Sequence, residues 1–417
     1  MAAGSIACID IGSSKICTVI ANVADGRILE ILGMGDVPSR GVQKGIIVDI
    51  DDAAMAIKQS VEEAESAAGF KAGRTYVGFS GKHIGSTNTT VSVDIARRDR
   101  MITESDIKEA ERKLKAISFP EHRVKVNVIR RRYAIDSVEG IRNPLGMHGY
   151  RLDLEAHIVT ADFGYRENRA TCLERAGVLF SSDSFVANPR ASAEAVLEPE
   201  DKERGAIVAD IGGGTTGIAV YREGSIWYTA ALPVGGRQVT TDLAVGLSIP
   251  FSAAEELKVT GGGLYPEKED AGKVALIEKY RTTPEVMSYM IRARVEEILR
   301  MVLSKPPQLP QLPKLLVLTG GTAKLPGMKQ FVEDELGLQA RIGVPGNLPE
   351  GADDLADPAY ATAVGLLLWG QREQVGGAGA RRGDRVARRF AFELGRLWQG
   401  IRSRASGAIR GGPTAES

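Results

Sequence analysis

Cysteine is scarce in this chain. Cys8, Cys17 and Cys172 are the only three in 417 residues and follow no spacing pattern. That excludes a disulfide framework and a cysteine-built metal site, and fits a reducing compartment. The four histidines, His83, His122, His148 and His157, share no ligand spacing either. An excess charge of one sign is also missing. Fifty-three basic residues face 53 acidic ones, so the chain as a whole gives no reason to expect a nucleic-acid partner. Long apolar runs are absent: the most apolar stretch, residues 361–369, is far too short to span a bilayer. The opening Met1-Ala2-Ala3-Gly4 lacks the basic start and apolar run of a secretion signal. The expectation is a cytoplasmic protein long enough for two domains or more.

Glycine, by contrast, is plentiful, with 48 residues, and its placement is informative. Ser5-Ile-Ala-Cys-Ile-Asp10-Ile-Gly-Ser-Ser-Lys15 and Ala206-Ile-Val-Ala-Asp210-Ile-Gly-Gly-Gly-Thr-Thr216 carry the same pattern 200 positions apart. Each runs from a short apolar strand into Asp-Ile-Gly and then into small, hydroxylated residues. One such turn is usually an ordinary hairpin; two in register predict two related lobes, each offering a phosphate-binding hairpin to a nucleotide between them. Glycine lets the backbone approach an anion closely, so that successive N–H groups converge on it. Gly12, Ser13, Ser14 and Lys15 supply that loop in the first copy, and Gly212, Gly213, Gly214, Thr215 and Thr216 in the second. Asp10 and Asp210 are placed to hold a hydrated Mg²⁺.

Three further pieces extend the site. Lys314 to Leu318 has a buried-strand pattern, followed by Thr319-Gly320-Gly321-Thr322-Ala323. This is a strand-to-helix turn, and its glycines leave room for adenine or ribose beside Gly320, Gly321 and Thr322. Val234-Gly235-Gly236 offers a second glycine contact to phosphates. Glu255 and Lys258 share one helix face at a spacing of three, elsewhere commonly a solvated ion pair.

Along the chain, residues 5–35 read as a β-meander and 51–68 as a helix. Residues 83–162 interrupt the first lobe with an α+β pattern: a strand at 91–95, a helix at 103–117, strands at 124–129, 132–135 and 152–159. The expected division is a first lobe at 1–82 and 163–204, the insert at 83–162, and a second lobe at 205–370 with a helical excursion at 237–304. A Gly/Ala/Arg-rich linker at 371–384 follows, then a helix at 385–404. In that helix Phe390, Leu394, Leu397, Trp398 and Ile401 fall on one face, while nine arginines stand against only Asp384 and Glu393 between residues 381 and 410. The cations bordering an apolar stripe with a Trp favour an anchor on anionic lipid over a packing or partner-binding helix.

Together these elements resemble the actin-like nucleotide-binding superfamily and, within it, the FtsA family of bacterial cell-division proteins. The narrower likeness rests on Phe79-Ser-Gly-Lys-His-Ile84, on Tyr133-Ala-Ile-Asp136, on Gly140-Ile-Arg-Asn-Pro-Leu-Gly-Met-His-Gly-Tyr-Arg-Leu152, on His157-Ile-Val-Thr160, and on Asp357-Pro-Ala-Tyr-Ala-Thr-Ala-Val-Gly-Leu366. It covers nearly the whole chain. The resemblance implies an α/β, actin-like (ribonuclease H-like) two-lobed fold with an α+β insert in the first lobe and a C-terminal amphipathic helix. It further implies a protein that binds ATP with Mg²⁺ and polymerises head to tail on the anionic inner membrane at the division site. There it tethers FtsZ filaments and recruits later division proteins through the insert. The FtsZ C-terminal peptide is expected on the helix at 284–303, where Arg292 and Arg294 suit an acidic ligand.

Two departures from the family pattern stand out. Many actin-like ATPases place a Glu before the proline of the segment Val186-Ala-Asn188-Pro189; here Asn188 stands there. An amide binds water but cannot take its proton, so ATP turnover is expected to be slow at most. The insert strand reads Asn127-Val-Ile-Arg-Arg-Arg132-Tyr133, with three added positive charges. The competing readings are an actin-fold kinase or chaperone-like ATPase, and a PilM-like pilus adaptor. The first has no spare carboxylate base or peptide-binding domain; the second lacks the arginine-rich tail.

Overall fold

The computed structural model describes residues 4–24, 27–266, 270–306, 312–346 and 348–377. Its core is one five-stranded arrangement built twice. In the first sheet the strands lie in the order Phe185–Ala187, Thr75–Phe79, Ser5–Ile11, Lys15–Ala24, Arg27–Pro38. The first three run parallel and the last three antiparallel. The second sheet, from its far edge, is Gln339–Ile342, Leu315–Thr319, Ala206–Ile211, Thr216–Arg222, Ser225–Leu232, with the same sequence of parallel and antiparallel pairings. The register repeats as well: Asp10 pairs with Cys17 and Ile11 with Ile16, while Asp210 pairs with Gly217 and Ile211 with Thr216. The 200-residue offset read in the sequence is therefore a structural repeat.

Between the sheets lie the helix Asn188–Val196 and residues 361–369 of the helix Ala361–Gly377. Val196, Leu197, Val364 and Leu367 share one buried cluster with Ile6, Cys8 and Val19 of the first sheet and Val208 and Ala219 of the second. The helices touch backbone to side-chain position: a methyl group on Gly365 would collide with the Ala191 carbonyl. Only glycine permits that approach.

The final helix corrects one expectation. Residues 371–377, read as the start of a flexible linker, continue the helix to Gly377. Gln371, Arg372, Glu373 and Gln374 are good helix formers, and the glycines that signalled a linker come only at its end. The rest of the linker, and the tail residues Phe390, Leu394, Leu397, Trp398 and Ile401, lie outside the described residues. Among the described residues no helix is long and apolar enough to cross a membrane.

The insert is a four-stranded antiparallel sheet in the order Gly85–Asp94, Arg151–Asp162, Arg123–Ile135, Val138–Ile141, covered by the helix Glu104–Ala116. Thr103 and Asp106 form the capping box at its start. Two strands expected at 124–129 and 132–135 are one, Arg123–Ile135. The arginine run does not break it because each guanidinium finds a partner: Arg130 pairs with Glu111, and Arg132 with Glu155, Glu139 and Glu223. Arg131 stacks on Trp227 at 3.6 Å.

In the second lobe four helices, Gly236–Gly246, Phe251–Gly261, Ala271–Lys279 and Pro284–Ser304, form the excursion between Leu232 and Leu315. Thr283 caps the longest, accepting from the Val286 amide at 3.4 Å, and Pro284 occupies its first turn.

Candidate functional site

The strands Ser5–Ile11 and Ala206–Ile211 end at a common cleft of about 470 Å³. Each turns there through the same tight hairpin, Gly12 N–H donating to the Lys15 carbonyl (3.1 Å) and Gly212 N–H to that of Thr215 (2.9 Å). The hairpins face one another. A methyl group on Gly213 would strike Ser14 Oγ, and one on Gly214 would lie 2.6 Å from Ser13 Oγ. Neighbouring segments brace them. Ser39 Oγ donates to the Gly12 carbonyl (2.7 Å) and the Gly45 amide to Ser13 Oγ (3.0 Å). On the other side the Gly236 and Arg237 amides donate to the Gly212 and Gly213 carbonyls at 2.9 and 2.8 Å.

Asp10, Gly12, Ser13, Ser14, Lys15, Asn188, Asp210, Gly212, Gly213, Gly214, Thr215, Gly236, Glu255, Lys258, Gly320, Gly321 and Thr322 all line this cleft. Two expected residues do not. Thr216 is fully buried, its hydroxyl donating to the Val234 carbonyl at 2.8 Å. It begins a strand, so its side chain points into the sheet packing rather than the turn. Gly235 lies behind Gly212 and Gly213, where a side chain would collide with their carbonyls.

The carboxylates occupy equivalent places. Asn188 Nδ2 donates to Asp10 Oδ1 (3.0 Å), and Thr362 Oγ1 donates to Asp210 Oδ2 (3.0 Å). Burial pushes the Asp10 carboxyl up to about 6, helped by the neighbouring Asp210 charge and opposed by Lys15. Burial likewise raises Asp210. Two desolvated acids facing one cleft are the donor set of a hard, oxygen-loving cation. Asn188 Oδ1 is buried without a hydrogen-bond partner. Such an orphaned acceptor suits a water or hydroxyl of an occupant. The residues present thus fit a magnesium-bound polyphosphate.

Lys15 reaches Asp36 (2.8 Å) and lies over the Tyr360 ring at 3.3 Å, while Tyr360 also donates to Asp36 (2.7 Å). At the opposite end Lys258 Nζ donates to both Glu255 oxygens at 2.8 Å and to Thr240 Oγ1 at 2.9 Å. Gly320, at φ +83°, has no space for a side chain: its Cβ would sit 2.5 Å from Asp210 Oδ1.

Several cleft residues escaped the sequence reading: Ser80, Arg237, Lys324, Pro326, Ala359 and Thr362. Ser80 Oγ donates across the cleft to Thr215 Oγ1 (3.4 Å). Arg169 is more deeply hidden. Fully buried, it donates to the carbonyls of Gly78 and Gly45 (3.2 Å to the latter) and stacks on Phe79. Nothing in the polar helix Phe163–Arg175 distinguishes it from a solvated arginine; Thr362 was at least visible as a hydroxyl in an apolar run.

Arg292 and Arg294 lie away from the cleft and are already paired. Arg292 reaches Glu335 (2.6 Å) and lies over Tyr265 and Phe331. Arg294 grips Asp242 through two hydrogen bonds (2.6 and 3.0 Å) and also meets Glu297. The expectation of two available cations is corrected: acidic neighbours on adjoining helices neutralise both.

Comparison with known proteins accords with this geometry. The family model "Cell division protein FtsA" matches residues 207–365, and "SHS2 domain inserted in FTSA" matches 81–160. A cell division protein FtsA of Pseudomonas aeruginosa is 34% identical over 88% of this chain and 90% of its own length. That of Neisseria meningitidis is 36% identical, covering 87% and 89%. This chain belongs to the FtsA family. Among solved structures, a PilM–PilN type IV pilus biogenesis complex aligns with TM-score 0.57 at 19% identity, covering 88% of this chain and 98% of that one. MreB5 of Spiroplasma citri bound to ADP aligns with TM-score 0.51 at 12% identity, covering 91% and 99%. At those identities the likeness is one of fold, and the fold of this FtsA-family chain is actin-like.

Proposed function

We propose that this cell-division protein binds ATP with Mg²⁺ between its two lobes and works as a membrane-tethered, polymerising adaptor. The observation that carries the nucleotide is the pair of register-matched hairpins meeting face to face. Amides from Ser13 to Lys15 and from Gly213 to Thr215 cradle the phosphates, the Gly12 and Gly212 amides being used to close the hairpins. Asp10 and Asp210 hold the hydrated metal, which supplies charge neutralisation to the phosphates when bound. Gly320, Gly321, Thr322, Glu255 and Lys258 receive the nucleoside end. Asn188 orients a water through Oδ1 but cannot deprotonate it, so turnover is slow.

Membership of a cell-division family supports a wider role as part of the same proposal. The chain polymerises head to tail at the division site, on the cytoplasmic face of the inner membrane. It holds FtsZ filaments through their C-terminal peptide on the helical excursion at 237–304, and recruits later division proteins through the insert at 83–162. The lobes at 1–82 with 163–204 and at 205–370 form the polymerising body. The tail helix at 385–404 anchors it to anionic lipid, each arginine near the leaflet contributing about 1 kcal/mol. One anchor binds weakly; a polymer's array binds through effective concentration.

Co-sedimentation of the full chain with anionic vesicles tests this reading, run with and without ATP and an FtsZ tail peptide. ATP-enhanced pelleting that carries the peptide along is the expected outcome. Pelleting indifferent to ATP, or a peptide left in the supernatant, contradicts it.

A further inference from the structure

The insert touches more than the lobe from which it grows. Its edge strand Gly85–Asp94 lies beside the edge strand Ser225–Leu232 of the second sheet, and side chains bridge the two. The Thr229 amide donates to Ser86 Oγ (2.9 Å), and Asn88 Nδ2 donates to the Trp227 carbonyl (3.0 Å). These occupy backbone groups that an open sheet edge leaves unpaired. His157, fully buried, joins the same network: Nδ1 to Asn88 Oδ1 at 2.7 Å and Nε2 to Thr229 Oγ1 at 2.9 Å. With Asn88 Oδ1 able only to accept, Nδ1 carries the proton and Thr229 Oγ1 donates to Nε2. Burial keeps this imidazole neutral well below the usual histidine range.

The arginine run completes the contact. Arg131, with only 4% of its side chain exposed, lies over the Trp227 ring at 3.6 Å, although its Nε and Nη2 have no hydrogen-bond acceptor. Arg132 Nη1 donates to Glu223 at 2.7 Å, and Ser225 Oγ donates to the Arg131 carbonyl at 3.4 Å. So two of the three arginines by which this chain departs from its family's strand pattern, Arg131 and Arg132, face its own second lobe, while Arg130 pairs with Glu111 inside the insert.

Both bridged strands lead to the cleft. Gly85–Asp94 follows within a few residues of Ser80, which lines the cleft and reaches Thr215 of the opposite lobe. Ser225–Leu232 runs into Gly235 and Gly236, and the Gly236 and Arg237 amides hold the second hairpin.

We propose that the insert is a clasp: its contacts with Trp227, Thr229 and Glu223 hold the lobes in the arrangement in which the two hairpins meet, so that clasp and nucleotide stabilise one another. The coupling to nucleotide rests on the ATP reading above; the holding of the lobes does not. Reciprocity follows from linkage: whatever factor the clasp adds to nucleotide affinity, nucleotide adds to clasp closure.

Hydrogen exchange on the full chain, read by mass spectrometry, tests it with Trp227→Ala and with the milder Thr229→Val and Ser86→Ala, should the first unfold. Without nucleotide, the clasp variants should speed exchange in peptides covering residues 12–15 and 212–216, remote from the substitution. Faster exchange confined to 85–94 and 225–232 overturns the clasp. With MgATP, affinity should fall about tenfold in the weakest-clasped variant, within the usual range of site-to-site coupling. Exchange at 225–232 in the unaltered protein should slow correspondingly. Unaltered ATP affinity in every variant overturns the coupling. An unaltered protein that fails to bind ATP refutes the nucleotide reading instead and leaves the nucleotide-free comparison to decide the clasp.

Discussion

Asp10 is where ligand binding and stability pull against each other. Its carboxyl titrates near 6 rather than at the ordinary 3.8, because burial and the Asp210 charge disfavour ionisation. The folded state therefore binds the proton more tightly than the unfolded chain. The stabilisation from this group is complete below about pH 4 and disappears as the pH rises through about 6. Asp10→Asn removes the desolvated charge and should stabilise the nucleotide-free protein at pH 8 by up to about 3 kcal/mol, the equivalent of a two-unit shift. The gain should vanish by about pH 4 while MgATP binding is lost. Urea unfolding at both pH values checks this, and an equal effect at the two removes Asp10 as the strained group. Asn188 sits beside it. Asn188→Glu supplies the missing base and should raise ATP turnover about a hundredfold, within the range expected of general base catalysis. It also sets a third acid in the pair's field, so the nucleotide-free protein should become less stable. Unchanged steady-state turnover would show that another group limits hydrolysis. Asn188 was legible as a substitution for a base; its hydrogen bond to Asp10 and its orphaned Oδ1 were not, since they join positions 178 residues apart.

Elements were legible in proportion to their local signals. The helix Ile50–Ala68 announced itself through periodicity and acids at its start. Asp49 caps it, and Gly69 ends it at φ +76°. The strand Arg123–Ile135 was harder, because three consecutive arginines look like a break unless their partners on other elements are known. The helix Pro284–Ser304 is legible in the sequence, but the partners of its arginines are not: Asp242 and Glu335 come from helices 52 and 43 residues away. Arg294→Ala should lower stability by about 1 kcal/mol, a bidentate but partly exposed pair. Thermal unfolding measures it, and an unchanged Tm would make the pair neutral. For the membrane anchor proposed at residues 385–404, replacing Leu394 and Trp398 with Glu should release the protein from anionic vesicles. Continued pelleting would exclude that segment as the anchor.

At the scale of the whole molecule, the duplicated Asp-Ile-Gly strands foretold the two sheets, their shared register and the cleft between them. What the linear pattern could not carry was how the insert meets the second lobe, a contact between segments about 70 to 140 residues apart in the chain. The cleft joins groups from both repeats, so a nucleotide held there favours the arrangement in which the hairpins meet, to the extent that it binds that arrangement better. Equilibrium titration of ATP in the presence of Mg²⁺, on the unaltered chain and on Asp210→Ala, tests that most directly. One nucleotide per chain, with affinity weakened at least about tenfold by the substitution, roughly 1.4 kcal/mol or more, is the result this account predicts. Equal affinity in the two proteins, or no saturable binding in either, would contradict it.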